Sequence, residues 1–209
     1  MTTTPVSIRR QLTRDRLMAA AAELFAERSV QAASVEEICE RAVFTRGAIY
    51  SNFESKDELC LALLRARGEQ FIDSTKRALA EIPDAALTEH TLSEVIAKAL
   101  AVFDASFALD EQWILVRNEL RLYAHRNPSI RAALTEAEHR ASALAVEAIV
   151  AALQRQNAQM VIPVDQLMLT LDAYCERRRL DDILSGHPND TTWRHGMEKL
   201  IRALVVLPG

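Results

Sequence analysis

Thr45-Arg46-Gly47 is the part of this chain whose residue types suit contact with the edge of a base pair. An arginine fork reaches the O6 and N7 acceptors of guanine together. Gly47 removes a side chain where a helix would approach such a partner; its plain alternative is tolerance of glycine at a helix start. Thr45 is placed as an N-cap. Ser34 has a hydroxyl able to cap its own helix and to touch a phosphate.

The stretch SVEEICERAVFTRGAIYSNFESKDEL, residues 34–59, contains the elements that position these groups. Ser34 with Glu37 has the capping-box spacing, so a helix begins there. Val35, Ile38, Cys39 and Ala42 recur on one face of it. After a tight turn, a second short helix carries Ala48, Ile49 and Phe53 inward. Ser55 with Glu58 repeats the capping box and opens a long helix. Two short helices joined by a turn predict a helix-turn-helix, which lays its second helix in the DNA major groove.

Around this unit the pattern is helical throughout. A first helix is predicted over about Thr13–Arg28, with Leu17, Ala20, Ala21, Leu24 and Phe25 on its apolar face, after a disordered tail over residues 1–8. Further helices are predicted over about 55–81, 91–108, 111–126, 128–157, 164–184 and 191–206, with a linker at 82–89. Asn127-Pro128, Pro163-Val164-Asp165, Gly186-His187-Pro188 and Asp190 punctuate them. Alternating β-branched runs are missing, so the expected class is all-α, with about nine helices. The expected division is 1–54 for DNA binding and 55–209 for ligand binding and dimerisation.

With 209 residues, 49% of them hydrophobic, the chain can bury a sizeable core without staples. Its net charge is −4, unhelpful for a DNA binder, but the distribution is uneven. Residues 1–56 hold eight Arg/Lys and seven Asp/Glu, whereas the remainder holds 17 and 22. Arg9, Arg10, Arg14 and Arg16 are opposed only by Asp15 in the first 16 residues. Arg9 and Arg10 read equally well as minor-groove residues or as a solvated arm. Cysteines at 39, 60 and 175 lack metal-ligand spacing, as do the five histidines, so no metal and no cofactor are expected. Cys39 reads as a small core hydrophobe. No signal core and no 18-residue apolar run occur, which implies a reduced, cytoplasmic protein with no membrane partner.

RLMAAAAELFAERS, SVEEICERA and TRGAIYSNFESKDEL together resemble the N-terminal module of the TetR family of transcriptional regulators, over about residues 12–62. YSNFESKDEL is the most specific part, and WILVRNELRLYAHRNPSIRAAL is similar to a stretch common in the family's sixth and seventh helices. The resemblance implies a homodimer in which the last two helices of both subunits form a four-helix interface. It also implies an inverted-repeat operator, a small-molecule effector and, usually, repression relieved when the ligand shifts the long connecting helix. It makes Tyr50, Asn52 and Lys56 phosphate binders, which fix register. Three positions depart from the family pattern. Val43 and Phe44 stand where a glycine and a smaller aliphatic are usual, and Ser29 where a glycine often ends the first helix. A β-branched residue at positive φ is strained, so the turn is either re-shaped or strained.

In the body, Phe103, Phe107, Trp113, Glu119, Leu122 and Tyr123 are candidate effector-binding residues, with plain core the alternative for each. Phe103 and Phe107 share a helical face. Glu119, among apolar neighbours, would favour a cationic or hydroxyl-bearing group on an otherwise largely apolar ligand. Met197, Leu200, Ile201, Leu204 and Val205 form one apolar stripe, and Leu167, Leu171, Tyr174 and Cys175 another; both suit a dimer interface or an internal core. The run ERRRLDD at 176–182 suggests intersubunit ion pairs or a local break. No GxGxxG, P-loop, GxSxG or HExxH motif occurs, so an enzyme is not expected. A helical enzyme with a dispersed site and a structural adaptor remain the competing classes. A gel shift with DNA flanking the protein's own gene separates them from a regulator.

Overall fold

A computed structural model describes residues 5–80, 89–106, 111–186 and 192–207. Among them lie nine helices: α1 (Pro5–Glu27), α2 (Val35–Ala42), α3 (Arg46–Tyr50), α4 (Lys56–Ala80), α5 (Glu89–Ser106), α6 (Glu111–Arg126), α7 (Pro128–Arg155), α8 (Val164–Ser185) and α9 (Thr192–Leu204). Two short strands, β1 (Gln159–Met160) and β2 (Val205–Val206), pair antiparallel. The fold is all-α apart from this pairing. Packing groups the chain into two units, Met1–Arg67 with Glu111–Ala137, and Gly68–Asp110 with Glu138–Gly209. The predicted linker at 82–89 and the Asp190 cap lie almost wholly outside the described residues.

The first unit is built on α1. Its apolar residues Leu17, Leu24 and Phe25 are buried together with Ile38, Ile49, Phe53 and Leu59. Val116, Leu120 and Ala124, spaced at four-residue intervals on α6, enter the same core, as does Ile130 of α7. The core of this unit therefore extends beyond the first three helices. The expected tail is corrected: α1 starts at Pro5, a residue whose missing N–H is no loss at a helix start. Two bonds one turn apart support the extension, Gln11 Nε2 to Asp15 Oδ1 (2.8 Å) and Thr13 Oγ1 to the Arg9 carbonyl (3.0 Å).

The second unit buries Leu92, Ile96 and Leu100 of α5 against Ala145, Leu167, Met168, Leu171, Cys175 and Met197. Much of the two apolar stripes near the chain end thus serves this internal core. Leu169, Leu184 and Leu200 stay exposed, as does the ring of Tyr174. Two helix ends differ from expectation. α7 stops at Arg155 because Asn157 turns to φ 50°, and the Ala158 N–H returns to the Leu153 carbonyl at 3.0 Å. Asparagine tolerates that left-handed conformation better than most residues. α9 stops at Leu204 because Val205 and Val206 pair with Met160 and Gln159. β-Branched residues suit an extended backbone. α8 runs unbroken through 176–182, where Arg177–Asp181 (3.0 Å) and Arg178–Asp182 (3.5 Å) pair within the helix, so the local break is ruled out. Gly186, at φ 70°, ends it as expected.

Candidate nucleic-acid interface

The helix-turn-helix begins with a complete capping box. Ser34 Oγ accepts the Glu37 N–H at 3.2 Å, and the Glu37 carboxylate accepts the Ser34 N–H at 2.9 Å. These bonds, with Arg28 beside them, hold the Glu37 carboxyl below the usual range. Glu37 also accepts the Ser34 hydroxyl at 2.8 Å, so this oxygen is already engaged within the protein.

Between α2 and α3 the chain turns through Val43, at φ 59° and ψ 46°. The Phe44 N–H bonds back to the Cys39 carbonyl at 2.9 Å. The turn has therefore kept the left-handed geometry that favours glycine, and it carries the strain of a β-branched residue there. Its neighbours brace it. Arg16 donates to the Ala42 carbonyl at 3.0 Å and lays its guanidinium over the Phe44 ring, 4.7 Å from the centroid.

α3 presents its first residues outward. Thr45 is the N-cap by backbone conformation, yet its hydroxyl makes no capping bond and the side chain is exposed. Arg46 is exposed, paired to Glu36 across the turn (2.9 Å) and lying 5.8 Å from the Tyr50 ring centroid. Tyr50 first, then Glu36, pushes the guanidinium further above its ordinary range. A Cβ added to Gly47 would meet nothing nearer than Thr45 Oγ1 at 3.8 Å. The fold itself therefore has room for a side chain at this position. Tyr50 is half exposed. Thr45, Arg46, Gly47 and Tyr50 form one outward group.

Asn52 and Lys56 are not part of it. Asn52 is buried, with Nδ2 donating to the Ala48 carbonyl at 2.8 Å. The Lys56 ammonium donates to the carbonyls of Val30 (2.9 Å), Ala33 (3.1 Å) and Gln31 (3.5 Å), closing the loop before α2. Its three N–H groups are thus directed at backbone inside the unit. Capping at Ser55 is of mixed form. Its hydroxyl accepts the Glu58 N–H at 3.1 Å, but the Glu58 carboxylate takes the N–H of Glu54.

Arg14 and Arg16, which the sequence shows only as local charge, and Arg10 bond to the backbone of the helix-turn-helix. Arg10 reaches the Ser51 carbonyl at 3.4 Å, and Arg14 donates to the Asn52 carbonyl while stacking 4.1 Å from the Phe53 centroid. Arg16 holds the turn as above. Arg10 is exposed and leans on the head through its contact with Ser51. The available signal was their spacing: 10 and 14 lie four apart on a helix whose next turns are core.

The described candidate effector residues differ in exposure and in partners. The side chain of Phe103 and all of Phe107 lie outside the described residues. Trp113 packs on the first unit's core with Arg67 over its ring (5.0 Å), and Tyr123 packs there too, donating to Asp57 Oδ1 at 2.7 Å. Leu122 is 60% exposed, and Glu119 is half-buried. A cavity of about 290 Å³ is found in the second unit instead. Phe71, Ile72, Leu144, Ala145 and Ala148 line it, with Thr75, Lys76 and Glu147 as its polar groups. Among the described residues no group of His, Cys, Asp and Glu could hold a metal ion, and no helix is long and apolar enough to cross a membrane.

Residues 17–63 match the family model described as bacterial regulatory proteins, tetR family. The HTH-type transcriptional activator FasR of Mycolicibacterium smegmatis is 35% identical over 71 residues, 34% of this chain and 32% of that protein. The HTH-type transcriptional repressor KstR2 of Rhodococcus jostii is 32% identical over 116 residues, 53% of this chain and 55% of that one. The matches thus span from a third to just over half of the relatives' length. Among solved structures, the fatty acid degradation regulator FadR from Bacillus halodurans superposes with a TM-score of 0.75 at 17% identity, covering 97% of both chains. FadR from Bacillus subtilis, solved with stearoyl-CoA, gives 0.68 at 19% identity, covering 90% of this chain and 97% of its own. Both likenesses extend the shared fold over nearly the whole length. Residues 17–63 thus match the N-terminal module of the tetR family of bacterial regulatory proteins, and the chain as a whole shares the helical fold of the solved structures it resembles.

Proposed function

We propose that the chain is a ligand-responsive transcriptional regulator, acting as a homodimer on an inverted-repeat operator and most simply as a repressor. The observation that carries this reading is the exposed group Thr45, Arg46, Gly47 and Tyr50 on a short helix braced from behind. A short, rigid helix with an exposed arginine in its first turn suits insertion into the major groove. Asn52 and Lys56 act here by holding that helix and its preceding loop in place, and a two-fold protein reads a two-fold site. Exposed Leu184 and Leu200, on the last two helices, support burial against a second copy. The matched relatives are named for both activation and repression, and repression is the more direct consequence of occupying an operator.

The effector site is proposed in the helical body, at the cavity lined by Phe71, Ile72, Leu144, Ala145 and Ala148. Phe103, Phe107, Trp113, Glu119, Leu122 and Tyr123 remain candidates for a site that forms or enlarges on binding. The cavity is near the lower end of small-molecule sites, about 300–1,000 Å³. Its apolar walls and its few polar groups suit a chain-like apolar ligand with one polar end. Since a structural neighbour was solved with stearoyl-CoA, acyl-CoA thioesters are the first class to test. The test is a gel shift with DNA flanking the protein's own gene, with and without acyl-CoA. A shifted band lost on adding acyl-CoA is expected. No shift with any such DNA at low salt would overturn the regulator reading.

A further inference from the structure

Arg46 does not stand alone on the reading surface. Glu36, in the first turn of α2, meets it across the turn at 2.9 Å, with the Tyr50 ring on another side. A carboxylate here is unexpected. DNA is a polyanion, and an exposed acid near it is repelled. Helix-start chemistry does not require one either, because Glu37 already supplies the capping carboxylate and a negative charge near the helix N-terminus. Both partners are half or more exposed, so the pair adds little to folding.

What the pair does fix is direction. An unrestrained arginine samples many rotamers and reaches phosphate as easily as base. The Nη1 edge of Arg46 is held by Glu36, and its plane is bounded by Tyr50, leaving a restricted face for a partner. Bidentate recognition of guanine depends on such orientation. We propose that Glu36 is a positioning residue for specificity: it aims the Arg46 guanidinium at a base edge and keeps it off the phosphates. This rests on the reading of α3 as the helix that enters the groove.

The inference predicts opposite effects on two measurable quantities. Glu36→Gln removes the charge and frees Arg46 while keeping a side chain of the same size. Discrimination at the base pair read by Arg46 should fall by about fivefold or more, the lower range for a bidentate contact. Affinity for unrelated DNA should rise, and the salt slope should steepen by about 0.9 as the freed arginine finds a phosphate. The probe is the duplex selected by the wild-type protein from a random pool, with single-base variants and a scrambled duplex. Wild type, Glu36→Gln, Arg46→Ala and the double variant are titrated at several salt concentrations, with thermal melts confirming folding. In the Arg46→Ala background Glu36→Gln should leave base discrimination unchanged. If Glu36→Gln tightens all duplexes equally, Glu36 merely opposes DNA and the proposal is overturned. Discrimination and slope that both stay at wild-type values would overturn it as well. If Arg46→Ala itself leaves affinity and base preference untouched, the groove-reading assignment of α3 fails, a result distinct from either.

Discussion

Val43 offers a direct measure of strain in the turn between α2 and α3. It occupies φ 59° and ψ 46° with its side chain 78% exposed. Placing an L-residue in this region costs about 1–2 kcal/mol. Substituting glycine removes that penalty and gives up almost no buried surface. It also loosens the unfolded chain, a destabilisation of about 0.4–1 kcal/mol. The difference predicts that Val43→Gly stabilises the protein by about 0.5–1 kcal/mol. For a chain of this size that raises Tm by about 1–4 °C. Val43→Ala keeps a Cβ in the same conformation and should shift Tm much less. Circular dichroism melts of the three proteins, with urea titrations at 25 °C, make the comparison. A Val43→Gly protein melting at or below the Val43→Ala protein would refute the strain argument. It would mean that Arg16, through Ala42 and Phe44, sets the turn geometry without a conformational penalty.

Three further outcomes follow from the bonds inside the head. Lys56→Met strips a cation from three backbone carbonyls and should destabilise by about 1–3 kcal/mol while leaving the salt slope of DNA binding unchanged; a slope lower by about 1 would make Lys56 a phosphate contact instead. Glu37 has a folded pKa below its unfolded value, so its contribution is present above the ordinary carboxylate range and is lost as pH falls through the folded value. Glu37→Gln, which can still form the box, should therefore flatten the acid side of the stability profile, and an unchanged profile in urea titrations from pH 3 to 7 would contradict this. Burial pushes the Cys60 and Cys175 thiols up to about 12 and raises that of Cys39, so the native protein should react with iodoacetamide at pH 8 far more slowly than the urea-unfolded chain; rapid labelling of the folded protein would show that these cores open.

Local chemistry made the reading unit legible. The box of Ser34 and Glu37, the cap position of Thr45 and the inward Ile49 and Phe53 all depend on residues three or four apart, a distance that a sequence displays directly. What stayed hidden depends on long-range approach. Lys56 meets carbonyls more than twenty residues away, and a backbone carbonyl leaves no trace in residue type. Asn52 turns its amide to the Ala48 carbonyl only four residues back, but that acceptor too is backbone and leaves no trace in residue type. The helix of Trp113 and Tyr123 has an amphipathic pattern that any apolar neighbour would satisfy, so the pattern could not show that its Val116 and Leu120 enter the first unit's core. The two-residue strand pairing was likewise too short to leave a periodic signal.

The internal commitment of the head's cations has a consequence for how such a protein would find its site. Of the eight arginines and lysines in residues 1–56, Arg10, Arg14, Arg16 and Lys56 have their tips on backbone carbonyls, and Arg28, Arg41 and Arg46 on glutamates. A tip held this way keeps its charge, but it must leave its partner to reach a phosphate. Few counterions would be released on a random sequence, so sojourns there would be brief and shallow. The protein would then search a genome more by repeated collision than by long sliding, and its occupancy would tolerate changes in cellular salt that dislodge regulators with loose basic arms.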